Sequence, residues 1–345
     1  MRAAVLRNGQ MVVRDDVPDP VPGFGQVLVD VKACGICGSD LHFATHGATM
    51  LARQAEMEGL PAIGAEPVDL GRDVFMGHEF SAEVIEAGPD TQAPVPGTLV
   101  TSIPILLSTA GIQPIVYSNE VVGGYCERML LSAPMLLEVP NGLDFRRASL
   151  TEPMAVGLHA VDKSNITQRE GALVLGCGPV GLAVIAALRL RGVEVIVATD
   201  PSPTRRRLAE VMGATEAVDP REVPAFDVWA LTGGSRSLVV FEAVGVPGMI
   251  DGVLRSAPMA TRIVVVGVCM ETDTITPFFG TPKELSLQFV FGYDPMQFAT
   301  TLRSIAEGEI DVEPLITGEV DLDGVAEAFA DLADPDRHCK ILVEP

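Results

Sequence analysis

Side chains that bind metals or transfer protons are concentrated in one short stretch near the amino terminus, ACGICGSDLH. It contains two thiols, Cys34 and Cys37, followed by the hydroxyl of Ser39, the carboxylate of Asp40 and the imidazole of His42. The C-x-x-C spacing is typical of a redox pair or of half of a four-cysteine zinc site. Because the sequence has no second C-x-x-C, a structural zinc ribbon is disfavoured.

Further metal-ligand candidates lie far along the chain from this stretch. His78 and Glu79 stand just before a strand-like segment, Phe80–Ala87, and Glu152 begins the segment EPMAVGLHA. Cysteine, histidine and glutamate from separate segments can form a catalytic zinc site, in which one ligand position is left for water or substrate. Taken alone, His78 also fits a hydrogen-bonded histidine in the protein core. Both interpretations stay open on the residues alone.

A glycine-rich turn in the middle of the chain, within GALVLGCGPVGLAVIAALRLRGVEVIVATD, has the features of a nucleotide-binding site. The apolar run Ala172–Leu175 predicts a buried strand, and Leu182–Leu190 predicts an apolar helix. The G-x-G-x-x-G spacing between them allows a tight turn and close approach of a pyrophosphate to the backbone. The free amides and the dipole of the helix attract such an anion. An ordinary strand–turn–helix is the alternative.

The acid at the end of the next predicted strand bears on which nucleotide binds. Asp200 follows the apolar run Val193–Thr199, where a carboxylate can accept hydrogen bonds from an adenosine ribose and repel a 2′-phosphate. The arginines of Thr204–Arg207 could instead hold a 2′-phosphate or form a solvated helix face. The carboxylate favours NAD over NADP. The predicted cofactor-binding residues are Gly176, Gly178, Pro179, Val180, Gly181, Asp200 and Arg205.

Composition and charge limit the class of protein. The chain has 345 residues, enough for a large core and two domains, and 48% of them are hydrophobic. The formal net charge of −22 repels polyanions, which argues against nucleic acid and anionic membrane surfaces as partners. The uncharged run Ala172–Leu188 is slightly short for a membrane span and is broken by Pro179.

The amino terminus and the cysteines indicate an intracellular protein. Met1–Leu6 leads into a strand-like segment without an apolar signal core or a cleavage site. The six cysteines have no disulfide-framework spacing, which favours structural or metal-binding thiols in a reducing compartment. We therefore expect a cytoplasmic location.

The order of strands and helices predicts an α/β fold with a doubly wound parallel sheet. A hairpin turning at Asn8–Gly9 and a strand over Gln26–Lys32 precede the thiol-rich stretch. A helix over Met154–Lys163 connects to the glycine turn. Beyond it, the predicted helices are Arg205–Gly213, Met249–Ser256, Pro295–Gly308 and Val325–Leu332, and the predicted strands are Ala217–Val218, Ser237–Val244, Ile263–Gly267, Leu285–Gly292 and Lys340–Val343.

Four motifs in order, CGICGSDLH, GHE, EPMAVGLHA and GCGPVG with Asp200 at the next strand end, resemble those of zinc-dependent medium-chain alcohol dehydrogenases. The chain is most similar to the polyol, butanediol and threonine dehydrogenase branch, in which a glutamate stands at the position of Glu152. The resemblance covers nearly the whole chain. It implies a mainly β GroES-like catalytic domain, residues 1–150 and 293–345, and a Rossmann dinucleotide-binding domain, residues 151–292.

The same resemblance implies the ligands of a catalytic zinc ion. Cys37, His78 and Glu152 would surround the zinc, and Glu79 would bind it directly or in exchange with water. Asp40 would orient the imidazole of His78, a role that metal-bound histidines generally need filled.

The resemblance also implies a reaction and its proton path. An NAD-dependent zinc alcohol dehydrogenase transfers a hydride reversibly between a secondary alcohol, diol or polyol and NAD, giving the ketone, with zinc as a Lewis acid. Ser39 would hydrogen-bond the substrate hydroxyl, and His42 would pass its proton to solvent through the cofactor ribose. Cys34 would be a buried structural thiol. The implied catalytic residues are Ser39, His42, Cys37 and His78.

Two segments depart from the family pattern. Members with a structural zinc carry four clustered cysteines where this chain has Thr101–Val122, which contains none. We therefore expect one zinc per subunit and no structural zinc. The interval between Cys37 and His78 is longer than in the family, and the extra residues lie in Thr45–Asp73, here called the insertion. We expect the insertion to form a wall or lid of the substrate pocket, with a plain surface excursion as the alternative.

Two other functions stay open on the sequence alone. A zinc-free quinone or enoyl reductase of the same superfamily would have no use for Cys37, His78 and Glu152 together. A non-catalytic NAD-binding sensor would not need the pair Ser39 and His42.

The expected partners are small molecules and further copies of the chain. The substrate is an alcohol or a ketone, whereas nucleic acid and membranes are not expected. The family resemblance implies a homodimer or homotetramer, and Phe278–Val290 includes apolar edges that could pair across a two-fold axis.

Overall fold

The computed structural model describes residues 1–57, 67–109 and 111–345. Its helices are α1 (Gly38–Glu56), α2 (Phe145–Ser149), α3 (Thr151–Ser164), α4 (Pro179–Leu190), α5 (Pro203–Met212), α6 (Ala225–Thr232), α7 (Met249–Ser256), α8 (Pro295–Ala306) and α9 (Val325–Asp331). Its strands are β1 (Ala3–Arg7), β2 (Gln10–Arg14), β3 (Gln26–Gly35), β4 (Val74–Phe75), β5 (Glu79–Ala87), β6 (Leu99–Ser102), β7 (Ile105–Ser108), β8 (Gly111–Pro114), β9 (Arg128–Ser132), β10 (Leu136–Glu138), β11 (Gly171–Leu175), β12 (Val195–Thr199), β13 (Glu216–Val218), β14 (Leu238–Glu242), β15 (Arg262–Val265), β16 (Ser286–Phe289), β17 (Ile316–Val320) and β18 (Lys340–Val343).

One sheet is parallel and six-stranded, in the order β13-β12-β11-β14-β15-β16. Its strand β11 is buried along its whole length, as the apolar run Ala172–Leu175 predicted. The chain runs outward from β11 in both directions, which is the arrangement of a doubly wound sheet. Helix α4 begins at Pro179, earlier than the predicted start at Leu182, because the fixed φ and missing N–H of proline suit the first position of a helix.

The second large sheet has seven strands and is mainly antiparallel, with β3 pairing to β5, β9 and β18. Strand β3 continues to Gly35, beyond the predicted end at Lys32. It does so because β5 and β18 pair with the residues of the CGIC motif, with Leu342 opposite Gly35 and Val343 opposite Cys34. This pairing brings the last strand of the chain beside the thiol-rich stretch.

Local sequence signals set several of the other boundaries. The β1–β2 hairpin turns at Asn8 and Gly9, whose φ values of 52° and 78° suit the predicted two-residue turn. Helix α5 ends at Met212, and Gly213 follows in the left-handed conformation that stops a helix. The remaining predicted segments of the second half form α3, α7, α8, α9, β13, β14, β15, β16 and β18.

The insertion is described only in part. The predicted helical segment Thr49–Gly59 continues α1 as far as Glu56, and residues 58–66 lie outside the described residues. At the far end of the insertion, the Asn119 side chain accepts from the amide of Asp69 and donates to its carbonyl. The wall or lid expected here stays a prediction.

One apolar cluster contains residues of both large sheets. Ala33 of β3 and Leu342 of β18 are buried in the same cluster as Val174 of β11 and Leu158 of α3. Helix α3 therefore lies where both sheets meet, and its first turn carries Glu152. Among the described helices, none combines the length and the apolar character that a membrane crossing requires.

Candidate metal and cofactor site

The thiol-rich stretch folds around the start of α1. Cys37 directly precedes the helix, and its backbone amide donates to Asp40 Oδ2 over 3.1 Å. A carboxylate at the third helical position commonly closes such a cap, so the local sequence sets this helix start. The start of α1 therefore carries Ser39, Asp40 and His42. Cys34 is buried in β3, as the resemblance implied.

Three of the predicted metal ligands converge at this helix start. The Cys37 thiol, a ring nitrogen of His78 and a carboxylate oxygen of Glu79 lie within 4.8 Å of one another, and we call them the donor cluster. They meet because the pairing of β3 with β5 places Glu79 opposite Gly35. Thiolate, imidazole and carboxylate are donors that zinc accepts. The donor cluster can therefore hold a divalent metal ion.

Burial and mutual charge set the ionisation of the donor cluster. Burial raises the pKa of Cys37, and the charge of Glu79 adds to this while His78 opposes it. Burial by itself lowers the pKa of His78, but the charges of Asp40 and Cys37 outweigh it and raise that pKa well above its ordinary value. A divalent cation favours the thiolate and the neutral imidazole, and so matches this set of donors.

Two buried polar atoms beside the donor cluster lack a hydrogen-bond partner in the described chain. Asp40 Oδ1 and His78 Nδ1 face each other at 3.6 Å. The other oxygen, Asp40 Oδ2, accepts a hydrogen bond of 2.6 Å from the Tyr125 hydroxyl. Metal binding through Nε2 of a histidine leaves the proton on Nδ1, where it can donate to such a carboxylate. The geometry fits the orienting role predicted for Asp40.

Glu79 is held by a buried lysine that the sequence did not indicate. Lys340 Nζ donates to both carboxylate oxygens, at 2.8 and 2.7 Å, and to the Ile36 carbonyl at 3.0 Å. Gly35 makes room for the pair, since a Cβ there would overlap Glu79 Oε2. Burial by itself lowers the pKa of Lys340, but the charge of Glu79 outweighs it and raises the pKa. The lysine is therefore a charged ammonium that restrains Glu79.

Glu152 lies near the donor cluster but is not one of its members. Its carboxylate interacts with the Tyr293 hydroxyl. Burial raises the pKa of Glu152 to about 7, while the charge of His78 lowers it and that of Glu79 raises it. Of the two glutamates proposed for zinc, the structure thus brings Glu79 directly to Cys37 and His78 and leaves Glu152 at the edge.

Polar side chains lead from the donor cluster to the surface along α1. Ser39 is half-buried, and His42, three positions later, is exposed. Positions three apart lie on the same face of a helix. The ring centroid of His46 lies 6.4 Å from that of His42, so a second exposed imidazole follows the first. The proton path through Ser39 and His42 stays a prediction, and the sequence interpretation overlooked His46.

The glycine turn is shaped to receive a phosphate. Gly176 has a φ of 91°. A Cβ at Gly181 would overlap the carbonyl oxygen of Gly176, so only glycine fits at Gly181. Gly178 precedes α4, with Pro179 and Val180 as the first helical residues. The unpaired amides of such a helix start are suited to an anion. The structure therefore contains the tight glycine turn between β11 and α4 that the sequence predicted.

Asp200 stands at the end of β12 with its carboxylate fixed. Its Oδ2 accepts from the Cys177 amide at 2.9 Å, and its Oδ1 accepts from the Ser202 amide at 2.8 Å. Arg206 donates to the Asp200 carbonyl at 2.7 Å and so supports the same corner. Each carboxylate oxygen keeps a lone pair with which to accept from a ribose hydroxyl.

Arg205 borders the glycine turn from the other side. Its Nε atom is buried and lacks a hydrogen-bond partner within the described residues, and its guanidinium lies near Gly178. A buried unpaired donor on a cation at a helix start fits an anionic cofactor. A separate cavity of about 420 Å³ opens at the carboxyl ends of β14 and β15, and none of the predicted cofactor-binding residues lines it. Its lining includes Glu242, Val246, Val266, Gly267, Val268 and Phe289.

Several residues around the donor cluster escaped the sequence interpretation. The chain has three tyrosines, and each lies beside a predicted site residue. Tyr125 donates to Asp40, whereas the hydroxyls of the other two lie near Glu152 and Ser39. The only sequence signal for these tyrosines was their small number, because no spacing rule connects a tyrosine to the predicted metal ligands.

Comparison with known proteins decides the family. The model of the alcohol dehydrogenase GroES-like domain matches residues 23–141, and that of the zinc-binding dehydrogenases matches residues 179–307. (R,R)-butanediol dehydrogenase of Bacillus subtilis is 32% identical to this chain over 100% of both proteins. The chain belongs to the zinc-dependent medium-chain alcohol dehydrogenase superfamily. The predicted resemblance is confirmed.

Other members agree with this assignment. Sorbitol dehydrogenase of Bacillus subtilis is 26% identical over 100% of this chain and 97% of the relative. The crystal structure of 2R,3R-butanediol dehydrogenase from Bacillus subtilis superposes with a TM-score of 0.83 at 30% identity, covering 100% of this chain and 99% of that one. The predicted fold class, a Rossmann sheet with a GroES-like domain, is thus confirmed. This alcohol dehydrogenase uses zinc and a nicotinamide cofactor, as its family does.

Proposed function

We propose that this alcohol dehydrogenase oxidises a secondary alcohol, or one hydroxyl of a diol or polyol, to the ketone with NAD and one zinc ion per subunit. The observation that carries the proposal is the donor cluster, in which Cys37, His78 and Glu79 lie within 4.8 Å of one another. Relatives named butanediol and sorbitol dehydrogenases support the substrate class. A zinc-free reductase or a sensor has no use for this cluster together with the Ser39 and His42 pair.

Cys37 and His78 would hold the zinc, with Glu79 and Glu152 as the neighbouring carboxylates. When bound, zinc supplies a Lewis acid for the substrate oxygen, and the nicotinamide supplies the hydride acceptor. Asp40 holds the imidazole of His78 in its binding orientation. A single zinc is supported by Thr101–Val122, which contains no cysteine and includes strands β7 and β8.

The proton of the substrate hydroxyl leaves along α1. Ser39 Oγ would accept it while passing its own proton on, and His42 would release a proton to solvent, directly or through the cofactor ribose. The hydride leaves the same carbinol carbon for the nicotinamide, so the alcohol loses two electrons and two hydrogens in all. The half-buried position of Ser39 and the exposed position of His42 support this order.

The direct test is an activity assay before and after metal removal. Dialysis against a chelator is expected to abolish NAD reduction with a panel of diols and secondary alcohols, and added Zn²⁺ is expected to restore it. Full activity in metal-free protein would remove zinc from the proposal. If the zinc-containing protein fails to reduce NAD with every alcohol on the panel, the proposed substrate class is wrong.

Asp200 is expected to select NAD over NADP. Replacing Asp200 with asparagine keeps one acceptor oxygen at the end of β12, turns the other into a donor NH2 group and removes the charge that repels a 2′-phosphate. We expect the ratio of kcat/KM for NADP to that for NAD to rise about 10- to 100-fold, since hydrogen bonds to charged groups contribute about 1.5–3 kcal/mol. Initial rates with both cofactors measure this ratio. An unchanged ratio, with unchanged thermal stability, would show that Asp200 does not face the ribose.

We propose the domain boundaries that the family implies, with residues 1–150 and 293–345 in one domain and residues 151–292 in the other. The composition of the two large sheets supports them, because β11 to β16 fall within the second range and β3, β5, β6, β9, β10, β17 and β18 within the first. Helices α3 and α8 would then mark the two crossings between the domains.

We also propose that the protein is a homodimer, or a tetramer built from such dimers, joined along β16. This strand lies at the edge of the parallel sheet and ends at Phe289, which is 67% exposed, and Phe291, two residues beyond the strand, is 90% exposed. Unprotected apolar edges of this kind are favoured sites for pairing with another chain.

Replacing Phe291 with aspartate is expected to shift the protein to a smaller assembly, because a charge would enter the apolar contact. Size-exclusion chromatography with light scattering measures the mass. Phe24→Asp is the matched control, since Phe24 is 79% exposed but lies away from β16. A monomeric wild type, or an equal effect of both substitutions, would contradict the proposed contact.

We further propose a cytoplasmic location. All six cysteines are free thiols, and Cys37 is reserved for the metal. Free thiols persist where the compartment is reducing.

A further inference from the structure

Tyr117 is fixed beside α1 by the segment that replaces the structural-zinc lobe. The backbone of the neighbouring Ser118 exchanges two hydrogen bonds with Phe75, at 2.8 and 3.2 Å, and the Ile115 amide donates to the Pro104 carbonyl at 2.8 Å. These anchors lie on both sides of Tyr117. The ring therefore has a defined place in the fold.

The Tyr117 ring stacks on a side chain that shares a helix face with Ser39. Its centroid lies 3.9 Å from that of Phe43, with 9° between the planes. Phe43 is 1% exposed and follows Ser39 by four positions in α1, which places the two on one face. The stack thus aligns the tyrosine along the face of α1 that leads to the donor cluster.

The Tyr117 hydroxyl interacts with the Ser39 hydroxyl, and the charges of Asp40 and Cys37 act on it. It is buried and lacks a hydrogen bond of normal geometry to any described residue. Burial raises the pKa of Tyr117 well above its ordinary value, and the charge of Asp40 adds to this, so the hydroxyl keeps its proton and can donate. A buried polar group left unpaired costs free energy, which a polar atom of a ligand would recover.

We propose that the Tyr117 hydroxyl donates a hydrogen bond to the second oxygen of a vicinal diol, or of the matching α-hydroxyketone, whose first oxygen lies at Ser39. This inference rests on the proposed function, because it assigns the reacting oxygen to Ser39. Oxygens on adjacent carbons are close enough for two neighbouring hydroxyls of the protein to bind one each. Tyr117 is then a residue that selects vicinal diols over simple secondary alcohols.

The test compares substrates that differ by one hydroxyl. Wild type and Tyr117→Phe are assayed with (R,R)-2,3-butanediol and with 2-butanol at saturating NAD. We expect the ratio of kcat/KM for the diol to that for 2-butanol to fall about 10- to 100-fold in Tyr117→Phe. The change should come mainly from a higher KM for the diol, because its second hydroxyl loses its hydrogen-bond partner. The ring and its stacking on Phe43 remain.

Tyr125→Phe is the matched control for removing a tyrosine hydroxyl. Tyr125 acts through Asp40, so its replacement is expected to lower kcat/KM for both alcohols alike and leave their ratio in place. A ratio unchanged within about twofold in Tyr117→Phe, or an equal loss on both alcohols, overturns the inference while leaving the proposed function intact.

A binding measurement separates the inference from turnover. Calorimetric titration of the NADH-bound holoenzyme with (R,R)-2,3-butanediol and with 2-butanol, neither of which can react with the reduced cofactor, should show tighter binding of the diol in wild type and a loss of that preference in Tyr117→Phe. If this preference is lost as expected although neither alcohol is oxidised, the inference stands and the proposed function fails. If wild type binds both alcohols equally, the inference fails.

Discussion

Replacing Cys37 with serine is expected to lower kcat/KM for alcohol oxidation by about 10³-fold or more. A metal ion contributes several kcal/mol to such a reaction, and each 1.36 kcal/mol is a factor of ten. Cys37 is the one thiol in the donor cluster, and a hydroxyl is a far poorer zinc ligand than a thiolate. Initial rates with NAD and a secondary alcohol measure the loss, and metal analysis of the same sample should show that zinc is lost with it.

The matched control is Cys126→Ser. The Cys126 thiol is buried, donates to the Arg128 carbonyl at 3.0 Å and lies outside the donor cluster. Its replacement should retain most of the activity. NADH binding, followed by fluorescence, should be the same in both variants because the glycine turn lies on the parallel sheet. A Cys37→Ser protein that keeps more than a tenth of wild-type kcat/KM would argue against a metal role for this thiol.

Replacing Lys340 with methionine is expected to lower the free energy of unfolding by about 3–5 kcal/mol, the usual cost of leaving one member of a buried ion pair unpaired. Glu79 is fully buried, and Lys340 supplies hydrogen bonds to both of its carboxylate oxygens. Without the ammonium, the carboxylate must stay charged in an apolar place or take up a proton. Urea unfolding of metal-free protein measures the change without a contribution from zinc.

Two further variants make the Lys340 prediction specific. Lys32→Met removes a lysine that pairs with Asp30 at the surface, where both side chains are partly exposed, and should cost no more than about 1 kcal/mol. The double variant Lys340→Met with Glu79→Gln removes both buried charges and should recover a large part of the loss. A Lys340→Met protein as stable as Lys32→Met would contradict the role given to the buried pair.

The features that the sequence predicted well depend on neighbouring residues. The hairpin at Asn8–Gly9 and the stop at Gly213 follow from backbone conformations that few residue types adopt. The glycine turn and Asp200 follow from the fixed spacing of a strand, a turn and a helix. Helix α4 begins at Pro179, three residues before the predicted start at Leu182. The prediction followed the apolar periodicity and did not use the preference of proline for the first helical turn.

The contacts that the sequence did not predict join distant parts of the chain. Lys340 and Glu79 are 261 residues apart, and they meet only because β18 closes the sheet beside β3. No spacing rule covers such a pair. The sequence also could not show which of Glu79 and Glu152 lies closer to Cys37 and His78. These positions depend on the pairing of β3 with β5 and on the place of α3 at the junction of the sheets. The position of Tyr117 likewise depends on a bridge between its neighbour Ser118 and Phe75 across the fold.

Metal analysis of the purified enzyme combined with X-ray absorption at the zinc edge tests the central claim most directly. We expect one zinc per subunit with a single sulfur ligand at about 2.3 Å and nitrogen or oxygen ligands at about 2.0–2.2 Å, because Cys37 is the one thiol of the donor cluster. Protein that holds no zinc, two zinc ions, or a zinc bound by several sulfur atoms would contradict the account.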